Sequence, residues 1–197
     1  MFGRKNKHKV RYRDLIWINT DTKYRKLLSL PDNGKAALIV SSFENTLKNL
    51  QSLNQEFKKM ESMSDFDKSR GPWLVNTKLI LEATSFQQAI TDEVQIIFTE
   101  HYPMPEKDSE ILSKTAAAIP NAEIVFYISL DDPLMRLFNS GKIGDMMKNM
   151  GMDENEAIEH RMISSAIFNA QKKITKKISF EQHYDDEEAW YRMNYRG

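Results

Sequence analysis

The sequence predicts an α/β protein: a parallel sheet of about five strands with helices on both faces, followed by a C-terminal helical extension. Three observations predict it. Short, continuous apolar runs recur along the chain: DLIWI (14–18), AALIVSSF (36–43), KLILEA (78–83), VQIIF (94–98) and EIVFYISL (123–130). Helical patterns separate most of them, as expected for a sheet covered on both faces. After residue 131 only helical patterns remain.

DLIWI suits a buried strand. In the TDTKYRKLLSL that follows, Thr20 or Asp21 can cap a helix, and Pro31-Asp32-Asn33-Gly34 is a turn signal that should end it. After the strand AALIVSSF, Ser41 and Glu44 stand three apart, the spacing of a capping box. Phe43, Leu47, Leu50, Leu53, Phe57 and Met60 then form one apolar helical stripe. Residues 61–73 read as a loop. KLILEA and VQIIF are strands with a short helix, FQQAI (86–90), between them. A loop at 101–105 leads into a helix at 106–118, ended near Pro120, and EIVFYISL is the last strand. Five such strands fit either a RecA-like or a Rossmann-like sheet, and periodicity does not choose between them.

The expected organisation is a basic flexible arm at 1–13, an α/β domain at 14–131 and a helical extension at 132–197. The 197 residues are 41% hydrophobic and 28% charged, which implies a packed core. Lys+Arg and Asp+Glu are both 28, so net charge favours no class of partner. A neutral chain with one short basic arm is a poor nucleic-acid binder, and none is expected. The absence of cysteine excludes disulfides, thiolate zinc sites and a cysteine nucleophile. No apolar run approaches the ~20 residues of a membrane-spanning helix. No signal-peptide core follows the basic start, so a cytoplasmic location is expected.

Candidate contact residues are Arg11 and Arg13 in the arm, which holds six Lys/Arg and no acid. Met146, Met147 and Met150 belong to a methionine-rich stretch that either fills the core or offers an adaptable surface. Trp190 and Tyr191 lie in an acidic, aromatic tail that either docks on a partner or packs on its own domain. Asp131 and Asp132 follow a strand and precede Pro133, a helix-capping arrangement. His101 and His160 stand alone at the sequence level, without metal-ligand spacing, and no metal is expected. Ser41-Ser42 and Ser164-Ser165 lack a paired His and Asp.

The segments FYISLDDPLMRLF (126–138), GDMMKNMGMDENEAIEH (144–160) and ISSAIFNAQKKI (163–174) choose the fold. In this order they resemble the SecA family of bacterial preprotein translocase motor ATPases. The match lies where the second nucleotide-binding domain passes into the helical scaffold. DLIWINTDTKYRKLL, GKAALIVSSFENTLKNL and IIFTEHYPMPEKDSEIL extend the resemblance over most of residues 11–176, most weakly over 54–92. The resemblance implies a RecA-like fold, of the kind found in the C-terminal half of helicases and in P-loop NTPases, plus the start of the scaffold.

The nucleotide motifs do not follow. No GxxxxGK[ST] occurs in the sequence. Where the family carries the arginines of RGRAGRQGD, this chain aligns Leu112, Lys114 and Ala117. A lysine lacks the planar fork that grips phosphate oxygens in pairs. The family's glycine-rich ATNMAGRGTDI corresponds to LEATSFQQAITDE, without glycine. The expectation is a pseudo-ATPase with no cofactor and no small-molecule substrate. It would act as a SecA-like interaction protein accessory to export, with the translocase motor or channel as partner and peripheral contact with the inner membrane. The alternatives are one half of a split ATPase, completed by a chain with a phosphate-binding loop, and a repurposed helicase-like domain unrelated to secretion.

Overall fold

The computed structural model describes residues 10–30, 36–67, 72–82, 94–137, 140–149, 151–153 and 155–195. The sheet comprises β1 (Arg13–Trp17), β2 (Ala36–Ser41), β3 (Lys58–Lys59), β4 (Trp73–Asn76), β5 (Val94–Phe98) and β6 (Glu123–Ser129). Its order is β1-β6-β5-β2-β4-β3, and every pairing is parallel. Between the strands lie α1 (Thr20–Leu28), α2 (Glu44–Leu53), α3 (Thr77–Glu82) and α4 (Pro105–Ala118). The extension consists of α5 (Pro133–Arg136), α6 (Ser140–Asn149), α7 (Arg161–Thr175) and α8 (Glu187–Asn194).

Strand side chains alternate between the two faces of a sheet, and the core divides accordingly. Ile39, Leu74 and Ile97 face Leu27 of α1 and Leu47 and Leu50 of α2. Leu38, Val40, Ile96 and Phe98 face the other way, toward Ile80 of α3, Ile111 of α4 and Ile167 of α7. This second cluster also takes in Met147, Ile158 and Trp190. The extension thus shares the core of the sheet domain. It also covers the β1 edge, where Ile16 and Ile158 exchange two backbone hydrogen bonds of 2.9 Å.

The described residues form a parallel sheet of six strands, in keeping with the expected sheet of about five. Several local expectations change. KLILEA is not a strand: residues 77–82 are α3, and the strand is the preceding Trp73–Asn76. Lys, Leu and Glu are strong helix formers, whereas Trp and Val suit a pleated surface, so intrinsic preference agrees with the fold here. α1 is capped by Asn19, whose Oδ1 accepts from Thr22 N at 2.8 Å, rather than by Thr20 or Asp21. Ser41 and Glu44 form no capping box, because Phe43 is the cap residue and Ser41 bonds elsewhere. α2 ends at Leu53, which is exposed, while Phe57 and Met60 are buried beyond it. The turn at 31–34, the helix FQQAI and residues 1–9 of the arm lie outside the described residues. From Val10 the arm is not free: Val10 and Tyr12 pack on the core, and Arg13 opens β1.

Candidate functional site

Parallel α/β sheets bind their ligands outside the carboxyl ends of the strands. In this chain the ends of β1, β2, β5 and β6 converge on a buried polar cluster. Lys23, in the first turns of α1, donates from Nζ to Asp132 Oδ1 at 2.6 Å and to the Thr99 carbonyl at 3.2 Å. Asp132 accepts from Ser129 N and Ser129 Oγ, each at 2.8 Å. Glu100 accepts from Ser42 N at 2.6 Å, from Ser41 Oγ at 2.9 Å and from Thr99 Oγ1. Ser41 Oγ in turn accepts from Phe43 N at 3.0 Å.

Burial alone would lower the pKa of Lys23, but the Asp132 carboxylate outweighs it and holds the ammonium above its usual value. Burial raises the Glu100 carboxyl against the hydrogen bonds from Thr99 and Ser42. The cluster's donors and acceptors satisfy one another. Asp132 occupies the N-cap position of α5 as its sequence context predicts, yet its side chain makes no cap bond there and turns back to Ser129 and Lys23. Asp131 Oδ2 accepts instead from Thr20 N, at 3.1 Å.

The tail closes over this edge. Asn45 N donates to the Asp185 carbonyl at 2.9 Å. Asp186 caps α8 by accepting from Ala189 N at 2.8 Å. Trp190 is fully buried, edge-on to Tyr102 with ring centroids 6.1 Å apart, and donates from Nε1 to Glu181 at 3.0 Å. Glu181 also accepts from Tyr102 Oη and Lys107 Nζ. Two buried tail atoms, Tyr191 Oη and Glu187 Oε1, lack a hydrogen-bond partner among the described residues. Burial, then the charges of Asp132 and Glu100, push the Glu187 carboxyl well up.

The contact residues read from the sequence do not form one surface. Of the two readings open for Trp190, Tyr191 and Met147, burial in the chain's own core is the one the structure adopts. They are apolar, and the sheet edge and α5 offer them cover. Met146 lies on α6, and Met150 lies outside the described residues. Arg13 is exposed but pairs with Glu123 and Glu159. Arg11 is exposed. His160 caps α7, with Nδ1 accepting from Met162 N at 3.2 Å. Leu112, Lys114 and Ala117 all lie on α4. Leu112 is buried and Ala117 exposed. Lys114 donates to the Leu81 carbonyl at 2.8 Å and pairs with Glu110 at 3.5 Å.

His101 is not alone. It is buried between Asp14, 2.9 Å from Nε2, and Asp108, 2.7 Å from Nδ1. It stacks on Phe126 at 3.8 Å between centroids. Gln171 of α7 donates to Asp108 Oδ2 at 3.1 Å and to the Tyr102 carbonyl at 2.7 Å, tying the scaffold helix to this cluster. Burial would lower the His101 pKa, but the two carboxylates carry it up to about 10. The ring is an imidazolium at neutral pH, with both nitrogens donating, so it is neither a metal ligand nor a general base there.

Fold and site define a RecA-like α/β domain with a helical extension, its carboxyl edge packed with its own side chains. Residues 94–155 match the family model of the SecA P-loop domain. Among curated proteins the chain is similar to protein translocase subunit SecA of Alcanivorax borkumensis, 32% identical over 122 residues, which are 61% of this chain and 13% of that protein. The SecA subunit of Acidithiobacillus ferrooxidans is 37% identical over 84 residues, 43% of this chain and 9% of that protein. That of Clostridium botulinum is 38% identical over 81 residues, 41% of this chain and 10% of that protein. The chain is thus SecA-like over about half its length and spans about a tenth of these relatives.

Proposed function

We propose that this chain is a non-catalytic, SecA-like interaction protein that works in protein export. The observation that carries this reading is the state of α4. Where the family places arginines toward the transferring phosphoryl group, this helix presents a buried leucine, an exposed alanine and a lysine already bonded to the Leu81 carbonyl. An arginine acting on that charge is worth ~10³–10⁵ in rate. At the carboxyl edge, Lys23 is held by Asp132, and Ser41 and Ser42 by Glu100, so these donors are already engaged by the chain's own carboxylates. The relatives, named as translocase subunits, support a partner in the translocation machinery. It is the translocase motor or its channel, met in the cytoplasm or at the inner face of the membrane. No helix among the described residues is long and apolar enough to cross a membrane.

Two measurements test the reading. Purified chain incubated with Mg-ATP should release phosphate no faster than a buffer blank, and tagged chain crosslinked in its own cells should recover translocase components. Turnover at the rate of a working motor would overturn the non-catalytic part. Capture of an unrelated complex without export components would overturn the export part.

A further inference from the structure

We infer that the outer face of α7 is a docking strip for an acidic protein segment. This names the partner chemistry of the interaction protein proposed above and rests on that reading. Residues 161–180 contain Arg161, Lys172, Lys173, Lys176 and Lys177 and no acid. All five cations are exposed, and none forms an ion pair among the described residues. Some other surface cations find acids, as Arg13 does with Glu123, Lys107 with Glu181 and Arg136 with Glu188; what sets this segment apart is five cations in twenty residues without an acid.

Helical geometry gathers four of them on one face; Lys177, beyond the helix end, instead has its Nζ 5.2 Å from the Tyr195 ring centroid. At 3.6 residues per turn, Arg161, Ser165, Lys172 and Lys176 form the middle of the exposed arc. Phe168 borders it on one side, and Met162 and Lys173 on the other. The opposite face, Ile163, Ile167, Ala170 and Ile174, is buried in the core. Phe168 is 43% and Met162 74% exposed, and Lys172 Nζ lies 4.2 Å from the Phe168 ring centroid. The strip therefore has a cationic floor with an apolar residue on each rim.

That layout fits a polypeptide lying along α7, with carboxylates on the lysines and small apolar side chains against Phe168 and Met162. A bilayer fits it less well. Met162 and Phe168 flank the arc and cannot insert together, while the centre that would meet the acyl chains is charged. The occupant is not this chain's own acidic run. Asp186 caps α8, Glu187 is turned inward, and Glu188 pairs with Arg136.

The test uses the whole purified chain and a fluorescein-labelled amphipathic Glu/Leu peptide of about 15 residues, matching the length of α7. Anisotropy should show saturable binding that weakens as salt rises. The pair Lys172→Glu/Lys176→Glu should weaken it at least tenfold, and Phe168→Ser several-fold. Circular dichroism checks that each variant is folded. Should the charge reversal unfold the chain, Lys172→Gln/Lys176→Gln and crosslink mapping of the peptide onto 161–177 replace it. Absence of saturable binding, or binding indifferent to these substitutions, overturns the inference. So does tighter, substitution-sensitive binding to phosphatidylglycerol vesicles, or self-association lost with the same lysines. None of these outcomes bears on ATP turnover or on capture of export components, so the two proposals fail separately.

Discussion

His101 reaches Asp14 across 87 residues of sequence, Nε2 to Oδ1 at 2.9 Å, with both side chains almost wholly buried. With Asp108 on its other nitrogen, the ring joins β1, the β5–α4 loop and, through Gln171, α7. Removing it strands two buried carboxylates. His101→Ala is expected to cost about 3–5 kcal/mol, the usual penalty for breaking a buried ion pair. Urea denaturation measures it.

The same contact sets a pH dependence. The folded-state pKa of His101, about 10, lies above the ordinary imidazole value of 6.5. Its contribution to stability is therefore full below about pH 6.5, declines as pH rises and is gone above about 10. Asp14 acts at the other end. Burial raises its pKa, but the hydrogen bond and charge of His101 bring it below the ordinary aspartate value of 3.8, so its share is lost only as pH falls through that lower value. NMR titration of the His101 ring should show no deprotonation between pH 6 and 8. A midpoint near 6.5 would refute the assignment.

Lys23 and Asp132 form the second buried pair, at 2.6 Å. Lys23→Met leaves Asp132 charged and unpaired, and the expected loss is again about 3–5 kcal/mol. Asp132→Asn in the same chain removes the stranded charge while keeping an acceptor for Ser129 N. The double variant should recover a good part of the loss. A double variant no more stable than Lys23→Met would mean that the charge is not what matters.

Much of the fold was legible because its strands are short apolar runs and its junction motif is specific: β1, β2, β5, β6 and α4 fall where apolar runs and helical spacing put them. β4 was not, because Trp73–Asn76 is four residues long and becomes a strand only by pairing with Leu38–Ser41 of β2. The polar clusters were less legible still. Asp14, His101 and Asp108 come from three elements, and nothing in their spacing announces that they meet. The aromatic tail could be read two ways. The structure buries Trp190 against Tyr102 at the sheet's carboxyl edge, with Glu181 of the tail itself accepting its Nε1–H, and Tyr191 packs edge-on to Trp190.

That burial makes Trp190 the anchor of the tail. Trp190→Ala is expected to cost about 3–5 kcal/mol and, in a chain of this size, to lower Tm by about 10 °C. Hydrogen exchange should show residues 181–194 opening first, with β5 and β6 still protected. Uniform loss of protection would mean that the tail is part of the global unfolding unit rather than a separable cover.

Glu187 gives the tail a pH response opposite in origin to that of Asp14. Its pKa is raised in the folded chain, by burial first and then by Asp132 and Glu100, so the folded state holds a proton that the unfolded state releases. Between the ordinary glutamate value of 4.5 and the raised folded value, stability therefore falls as pH rises. The solvent-shielded Oε1 is the structural reason: among the described residues no donor receives the charge it would share on ionisation. Glu187→Gln removes the titration and keeps the size. It should stabilise the chain, with the gain over wild type growing from pH 5 to pH 8 in urea titrations. It should also slow tryptic cleavage after Lys176 and Lys177 at the higher pH, because α8 no longer carries a charge that favours leaving the sheet. A variant equal to wild type at both pH values would place an ionised, solvated Glu187 outside the cluster and contradict the packing of α8 over Lys23 and Asp132.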